Sequence, residues 1–493
     1  MINRWKYYCL IIFGTTLFFD VQAQILFHNT ATGINTVFKH NDPLQLSSVN
    51  HQNPFIIGNI YINGNKKTKT YIILRELTFK KGDTISLPEL VKAFELGHDR
   101  LINTLLFTNV IVSLKGFRGY IVDVQIDVIE RWYIIPVPYF HPVDRNLTVW
   151  QEHNYSLNRV NYGLKYTQNN FSGRNDNMVL WLITGYSRQA EIAYDQPYAD
   201  ASLKNGFGFT IIYIANKEFD AMTKNNQQYF INADTLGFAG KYLSEEFRLS
   251  LRYYYRPALT TRHTIRLNFD QLKIDTAVRY FNPHYLNNNK KQVFYPELSY
   301  QMDYTNVDYI AYPLKGVAAS AVILKKGINA DMNLWQLNLQ SIESAQLAHK
   351  TYFSTQNMAT VKLPFDQPFY TQQLFGYGNF YLRGLEKYVI DGVAGFAMRN
   401  TFLREITSFS LPIKIPFLGL YEMPFRVMAK TYSDMGYIYN KTTDLSNSLS
   451  KKFLYTEGFG IDIVTAYDFI FRIEYSFNQL GQNGLFLHIH NDF

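Results

Sequence analysis

Residues 133–493 repeat one pattern: short segments in which apolar and polar residues alternate with a period of two, and no convincing long helix interrupts them. In Phe247–Tyr253, Phe247, Leu249, Leu251 and Tyr253 fall on one face, and Arg248, Ser250 and Arg252 fall on the other. The same alternation recurs in Gly206–Ile214, His263–Phe269 and Phe469–Tyr475. Such a pattern predicts β-strands with one face against an apolar medium. Alternation alone leaves two architectures open. A soluble sandwich turns its apolar face inward, whereas a membrane barrel turns it outward to lipid and keeps a wet interior.

Composition favours the barrel. Charged residues make up only 18% of the chain, against roughly 25% for an average soluble domain. Aromatics reach 16%, a surplus that interfacial girdles would use. After the first 20 residues no apolar run approaches the ~18 residues of a spanning helix. Without such a helix, a chain that crosses a membrane must close its sheet, because hydrocarbon cannot hydrogen-bond an open edge. Counting segments, with turns such as Ser172–Asn175 and Gly481–Gly484 between them, predicts about 16 antiparallel strands.

The amino terminus reads as an export signal. Arg4 and Lys6 precede an apolar stretch, Cys9–Phe19, and Val21-Gln22-Ala23 suits a cleavage site, so the mature chain is expected to start at Gln24. Residues 1–23 are thus a signal peptide and residues 24–53 a polar linker. The sole cysteine, Cys9, falls within the signal, which removes disulfides, thiolate metal sites and cysteine nucleophiles from consideration. A net charge of +8 over the whole length gives no case for nucleic-acid binding.

Residues 54–132 read as a small mixed domain. Ile56–Ile62 is a strand. Thr70 is expected to cap a helix over Tyr71–Leu77, and Ser86 a second helix, with Glu89 completing a capping box. Leu90, Val91, Phe94, Leu96, Leu101, Ile102 and Leu105 recur at helical spacing. Val110–Leu114 and Tyr120–Ile129 are strands, and the second alternates so that Asp123, Gln125 and Asp127 share a face. The order is β-α-α-β-β.

That order, with the segments IYINGNKKT, LRELTFKKGD and LPELVKAFELGHDRLINTLLFTNV, resembles a POTRA module. The resemblance implies an edge strand formed by Asn109, Val110, Ile111, Val112 and Ser113 that captures an extended client by main-chain pairing.

A second resemblance comes from residues 374–405. A glycine-rich lead, Gly376 and Gly378, precedes Arg383-Gly384, and Asn400-Thr401-Phe402-Leu403-Arg404 follows in a strand expected over Val393–Glu405. Downstream stand Ser433-Asp434-Met435-Gly436 and Glu457-Gly458-Phe459-Gly460. The set resembles the sixth-loop signature and adjoining strands of the BamA/TamA/Sam outer-membrane assembly and translocation superfamily. Two positions depart from it: Leu382 stands for valine, and Leu385 for the aromatic after Arg-Gly.

The resemblance implies a loop folded back into the lumen, where Arg383 needs a carboxylate in fork-like geometry. Asp434 is the expected partner, ahead of Glu405 and Asp462, and Gly384 is expected to let the backbone approach the wall. Asn400, Arg404, Gly436, Gly458 and Gly460 mark the motif strands.

The last strand carries Leu485, Leu487, Ile489, Asn491 and Phe493 on one face. This resembles the C-terminal assembly signal of outer-membrane barrels, with Asn491 as a departure. His488 and His490 share the other face and read as lumen residues, with no metal expected.

No P-loop, Gly-x-Ser-x-Gly or His-Glu-x-x-His motif is present, so the chain is read as a non-enzyme with no cofactor. The family resemblance implies an outer-membrane location with the POTRA domain in the periplasm. Its implied partners are lipids, unfolded or barrel client proteins, and other assembly proteins. A single POTRA domain suits an accessory or specialised member. Insertion or translocation of clients leads. A passive pore or export channel, and a purely structural barrel, stay open.

Overall fold

The computed structural model describes residues 54–142, 159–237, 241–415, 419–441 and 446–489. The expected signal peptide and linker, and Asn491 and Phe493 of the expected C-terminal signal, lie outside the described residues.

The first domain contains β1 (Phe55–Asn63), α1 (Thr70–Arg75), β2 (Thr84–Ile85), α2 (Leu87–Asn103), β3 (Phe107–Arg118) and β4 (Ile121–Glu130). Its sheet runs β2-β1-β4-β3, with β1 and β4 parallel and the other pairs antiparallel. Val122, Val124, Ile126 and Val128 of β4 turn inward and pack with Ile72, Ile73, Leu90 and Leu101 of the helices. At the start of α2, the Glu89 carboxylate accepts hydrogen bonds from the Ser86 amide at 3.0 Å and hydroxyl at 2.7 Å.

One local expectation needs correction, and one short element is added. Thr70 is the first residue of α1 rather than its cap; Lys69 holds the cap position without a side-chain hydrogen bond. The Lys81-Gly82-Asp83 turn opens into β2, a two-residue strand paired with Phe55 and Ile56, too short to leave a periodic signal.

A 16-stranded antiparallel sheet follows. It begins with β5 (Ile134–Pro142), β6 (Val160–Gln168), β7 (Asn177–Gly185), β8 (Arg188–Gln196) and β9 (Asn205–Asn216). A separate loop hairpin, β10 (Glu218–Lys224) and β11 (Gln227–Asn232), precedes β12 (Ser244–Tyr255) and β13 (Thr261–Ile274). Helix α3 (Thr276–Phe281) leads to β14 (Gln292–Val307), β15 (Gly316–Asn329), β16 (Met332–Ala348) and β17 (Thr351–Leu363). The next loop holds α4 (Phe369–Gln372), β18 (Gln373–Phe375) and β19 (Ile390–Asp391). The wall ends with β20 (Ala394–Ile415), β21 (Gly419–Tyr439), β22 (Phe453–Thr465), β23 (Ile470–Asn478) and β24 (Asn483–Ile489). Strands β5 and β24 are the two edges, and among the described residues they do not pair with each other.

β20 extends ten residues beyond the expected end at Glu405, as a long hairpin with β21. A register shift between Glu405 and Thr407 changes which residues share a face, so period-two reading stops there.

The wall is inside out relative to a water-soluble β protein. On β12, Leu251 is 46% exposed while Ser250 is 3% exposed. Elsewhere Leu298, Trp335, Phe402, Phe459 and Leu487 face outward, while Asp270, Glu297, Gln356, Arg399 and Arg472 are buried inside. An apolar exterior around a polar interior is the polarity of a barrel in lipid. Among the described residues no helix is long and apolar enough to cross a membrane.

The first domain docks on short turns at one end of the wall. Lys69 N donates to Gly173 O at 2.9 Å in the β6–β7 turn, and Arg75 Nε to Leu203 O at 2.7 Å in the β8–β9 turn. Asn103 donates to Val307 O and accepts from Ile310 N in the β14–β15 turn. Arg131 forks onto Asp468 in the β22–β23 turn at 2.6 and 3.0 Å. Loop 364–393 leaves from the opposite end and is the sixth connection on that side.

Candidate functional site: the sixth loop against the inner wall

Loop 6 is held first by apolar packing. Leu374, Phe375, Leu382, Leu385 and Ile390 are buried against Ala397, Ile438 and Leu454 of the wall. Both departures from the expected motif thus serve this cluster, since Leu382 and Leu385 are each fully buried.

This packing aims Arg383 at Asp434 on β21. Arg383 Nη2 lies 2.6 Å from Asp434 Oδ1, and Arg383 Nε lies 2.9 Å from Oδ2. The Arg383 amide also donates to Oδ2, at 3.1 Å. Asp434 therefore fixes both the guanidinium and the backbone of the loop. The pair is almost free of solvent, with side-chain exposures of 6% and 0%. Bidentate, charge-assisted contacts of this kind are what an arginine fork provides and a lysine does not.

The guanidinium also lies 4.0 Å from the ring centre of Tyr432, and the Tyr432 hydroxyl is 2.6 Å from Ser476 Oγ on β23. The ring covers Gly458, where a Cβ would stand 2.5 Å from its Cζ. Gly458 thus makes room for the aromatic plate beneath Arg383. Sequence reading missed Tyr432, although its position two residues before Asp434 puts it on the same strand face.

Gly384 has φ +86°, and a Cβ there would sit 2.8 Å from Ser476 Cβ. Its carbonyl oxygen accepts from Asn478 Nδ2 at 2.9 Å. Gly384→Ala should force the tip off the wall, lowering barrel stability by about 1–3 kcal/mol. The temperature at which the folded gel band is lost measures this, and an unchanged temperature contradicts it.

The remaining motif residues separate. Asn400 lends its carbonyl oxygen to Arg383 Nη2, at 3.4 Å. Arg404 is exposed and stands apart from the Arg383 cluster. Gly436 and Gly460 sit where a Cβ would meet a neighbouring strand's carbonyl oxygen, at 2.8 Å from Phe396 O and 2.4 Å from Ile473 O. The alternative partners for Arg383 are engaged elsewhere: Glu405 with Arg426 and Lys350, Asp462 with Lys430.

A second buried polar cluster lies nearby. Lys430 Nζ stands 2.5 Å from Asp462 and 2.6 Å from Glu474. His488 of β24 approaches Glu474 and the loop residue Glu386. These residues are far apart in sequence, and only the folded wall brings them together.

Asn109–Ser113 lie on β3, which pairs with β4 on one side and forms an edge of its sheet. Ile111 is 52% exposed. Leu487 faces outward on β24, and Ile489 is the last residue of that strand.

Residues 55–131 match the family model of POTRA, the surface antigen variable number repeat. This part of the chain is a POTRA domain. No curated protein matches the chain. Among solved structures, the chain is similar to CdiB from Escherichia coli, with 12% identity, 89% of this chain and 74% of that chain covered, and a TM-score of 0.50. It is also similar to BamA from Haemophilus ducreyi lacking POTRA domains 1-3, with 16% identity, coverage of 88% and 83%, and a TM-score of 0.46. CdiB from Acinetobacter baumannii matches at 12% identity, coverage of 88% and 74%, and a TM-score of 0.44. The likeness to Escherichia coli CdiB is one of fold. The chain thus joins a POTRA domain to a 16-stranded antiparallel sheet.

Proposed function

We propose, from a POTRA domain joined to an inside-out 16-stranded wall, that this chain inserts or translocates client proteins at an outer membrane. The observation that carries the reading is a POTRA domain with an edge strand, β3, joined to a 16-stranded wall whose apolar face points outward and whose end strands are β5 and β24. An unpaired edge offers N–H and C=O groups to a client strand. In lipid, such an edge is costly unless something pairs with it.

The POTRA domain presents an edge of its own, Asn109, Val110, Ile111, Val112 and Ser113 on β3. In this mechanism β3 captures an extended client in the periplasm by strand addition. The client then passes to the β5–β24 seam, where templated pairing lowers the cost of exposing its strands. Arg383, Gly384 and Asp434 hold loop 6 against the wall and so set the shape of the lumen beside the seam. Leu487, Ile489 and Phe493 of the C-terminal segment serve the protein's own assembly. Partners are membrane lipids, client proteins and other assembly proteins.

Depletion followed by quantitative outer-membrane proteomics tests this. Selective loss of one or a few membrane proteins supports the reading. An unchanged outer-membrane proteome, with steady conductance of the purified chain in planar bilayers, would replace it with a passive pore. A photo-crosslinker at Ile111 should trap the same proteins that depletion removes.

A further inference from the structure

Glu386 lies three residues beyond Arg383 and enters a different group. His488 Nε2 is 3.5 Å from Glu386 Oε1 and 3.3 Å from Glu474 Oε2. One ligand atom from each of the three residues falls within 4.8 Å of the others. Both Glu386 oxygens and His488 Nε2 are shut off from solvent and make no hydrogen bond. Among the described residues, Glu386 has no lysine or arginine partner, only His488. Lys430 stands between Asp462 and Glu474, and Arg472 Nε is 4.0 Å from Asp462. A buried carboxylate without a hydrogen bond or full counter-charge is unfavourable.

We propose that Glu386, Glu474 and His488 form a site for a divalent transition metal of the zinc type. Two carboxylates and one imidazole are a zinc donor set with a fourth position open. The imidazole disfavours magnesium and calcium, which take oxygen ligands. Zinc bonds of about 2.0–2.2 Å place tetrahedral ligand atoms about 3.4 Å apart, close to the two separations found here. Lys430 faces Glu474 Oε1 and leaves Oε2 turned to the site.

The three ligands come from loop 6, β23 and β24. A bound ion would therefore tie the loop tip to the edge strand of the wall. Its effect on client handling rests on the seam reading above; the binding itself does not.

The test uses the full chain, purified in detergent and stripped of metal. Titration with zinc alone should show one ion per chain at micromolar affinity or tighter. Glu386→Gln and His488→Gln should each weaken binding by about ten-fold or more. His98→Ala, in the POTRA domain, should leave it unchanged. Cobalt should give a tetrahedral visible spectrum that His488→Gln abolishes. Zinc should also raise the temperature at which the wild-type folded band is lost, but not that of Glu386→Gln. No stoichiometric zinc binding, or binding indifferent to both variants, overturns the site. Zinc binding of the expected kind without any change in client assembly upholds the site and counts against the seam reading.

Discussion

Arg383→Ala and Asp434→Ala are each expected to cost about 3–5 kcal/mol of barrel stability, because each leaves the other charge buried without its fork-like partner. The geometry makes this one of the largest single-residue effects in the wall. Asp434 accepts from two guanidinium nitrogens and from the loop amide, and neither side chain has more than slight access to water. Losing Asp434 therefore also releases the loop backbone. Arg383→Lys should rescue little, since an ammonium cannot make two parallel contacts or lie flat on Tyr432. In a double-mutant cycle the combined variant should cost well under the sum of the two. The readouts are the folded-band temperature and client assembly. Wild-type values of both in the two single variants would remove the Arg383–Asp434 pair from the account.

Glu76→Ala is expected to undock the POTRA domain from the wall. Glu76 is 1% exposed and takes Arg256 from the β12–β13 turn at 2.7 and 2.8 Å, and Arg75 from its own domain at 2.9 Å. Burial alone would lower Arg256, but Glu76 and Tyr198 more than offset it and hold the guanidinium above its usual range. Removing the carboxylate leaves two guanidinium groups close together without their shared counter-charge. A loss of about 3–5 kcal/mol in docking follows, with the POTRA core of Ile73, Leu101 and Val124 left intact. Limited proteolysis should then cut near Arg131–Trp132 while the barrel band survives. Glu76→Gln should show most of the effect, because the charge rather than the shape is lost. Resistance equal to wild type would contradict the docking role.

The chain's strands were readable where chemistry is local. Phe247–Tyr253 alternates without a break, so its two faces are plain in the residues themselves. Which face is wet was not, because alternation has no sign; that required Leu251 and Ser250 to be seen in the folded wall. The Ser86–Glu89 box was readable because both partners lie within one turn. Thr70 misled because a threonine before an apolar run looks like a cap, while tertiary packing starts α1 one residue sooner. The strand expected to end at Glu405 runs on to Ile415, past the register shift between Glu405 and Thr407 where period-two reading stops.

The site divides in the same way. Arg383 and Asp434 are 51 residues apart, and only a family motif linked them in advance. Tyr432 was within reach by strand parity. His488 stood out only as half of a His-x-His pair, and Glu386 and Glu474 had no sequence signal, since the proximity of the three arises from the pairing of β23 with β24 and the return of loop 6.

The central claim is the direction of the wall: lipid outside, water within. The chain's one cysteine is Cys9, so a form starting at Gln24 can carry single cysteines at Leu251 and at Ser250, labelled with a polarity-sensitive fluorophore in lipid vesicles. The account predicts blue-shifted emission quenched by spin-labelled lipid at position 251, and neither effect at position 250. Quenching by lipid at 250 with water-like emission at 251 would contradict it.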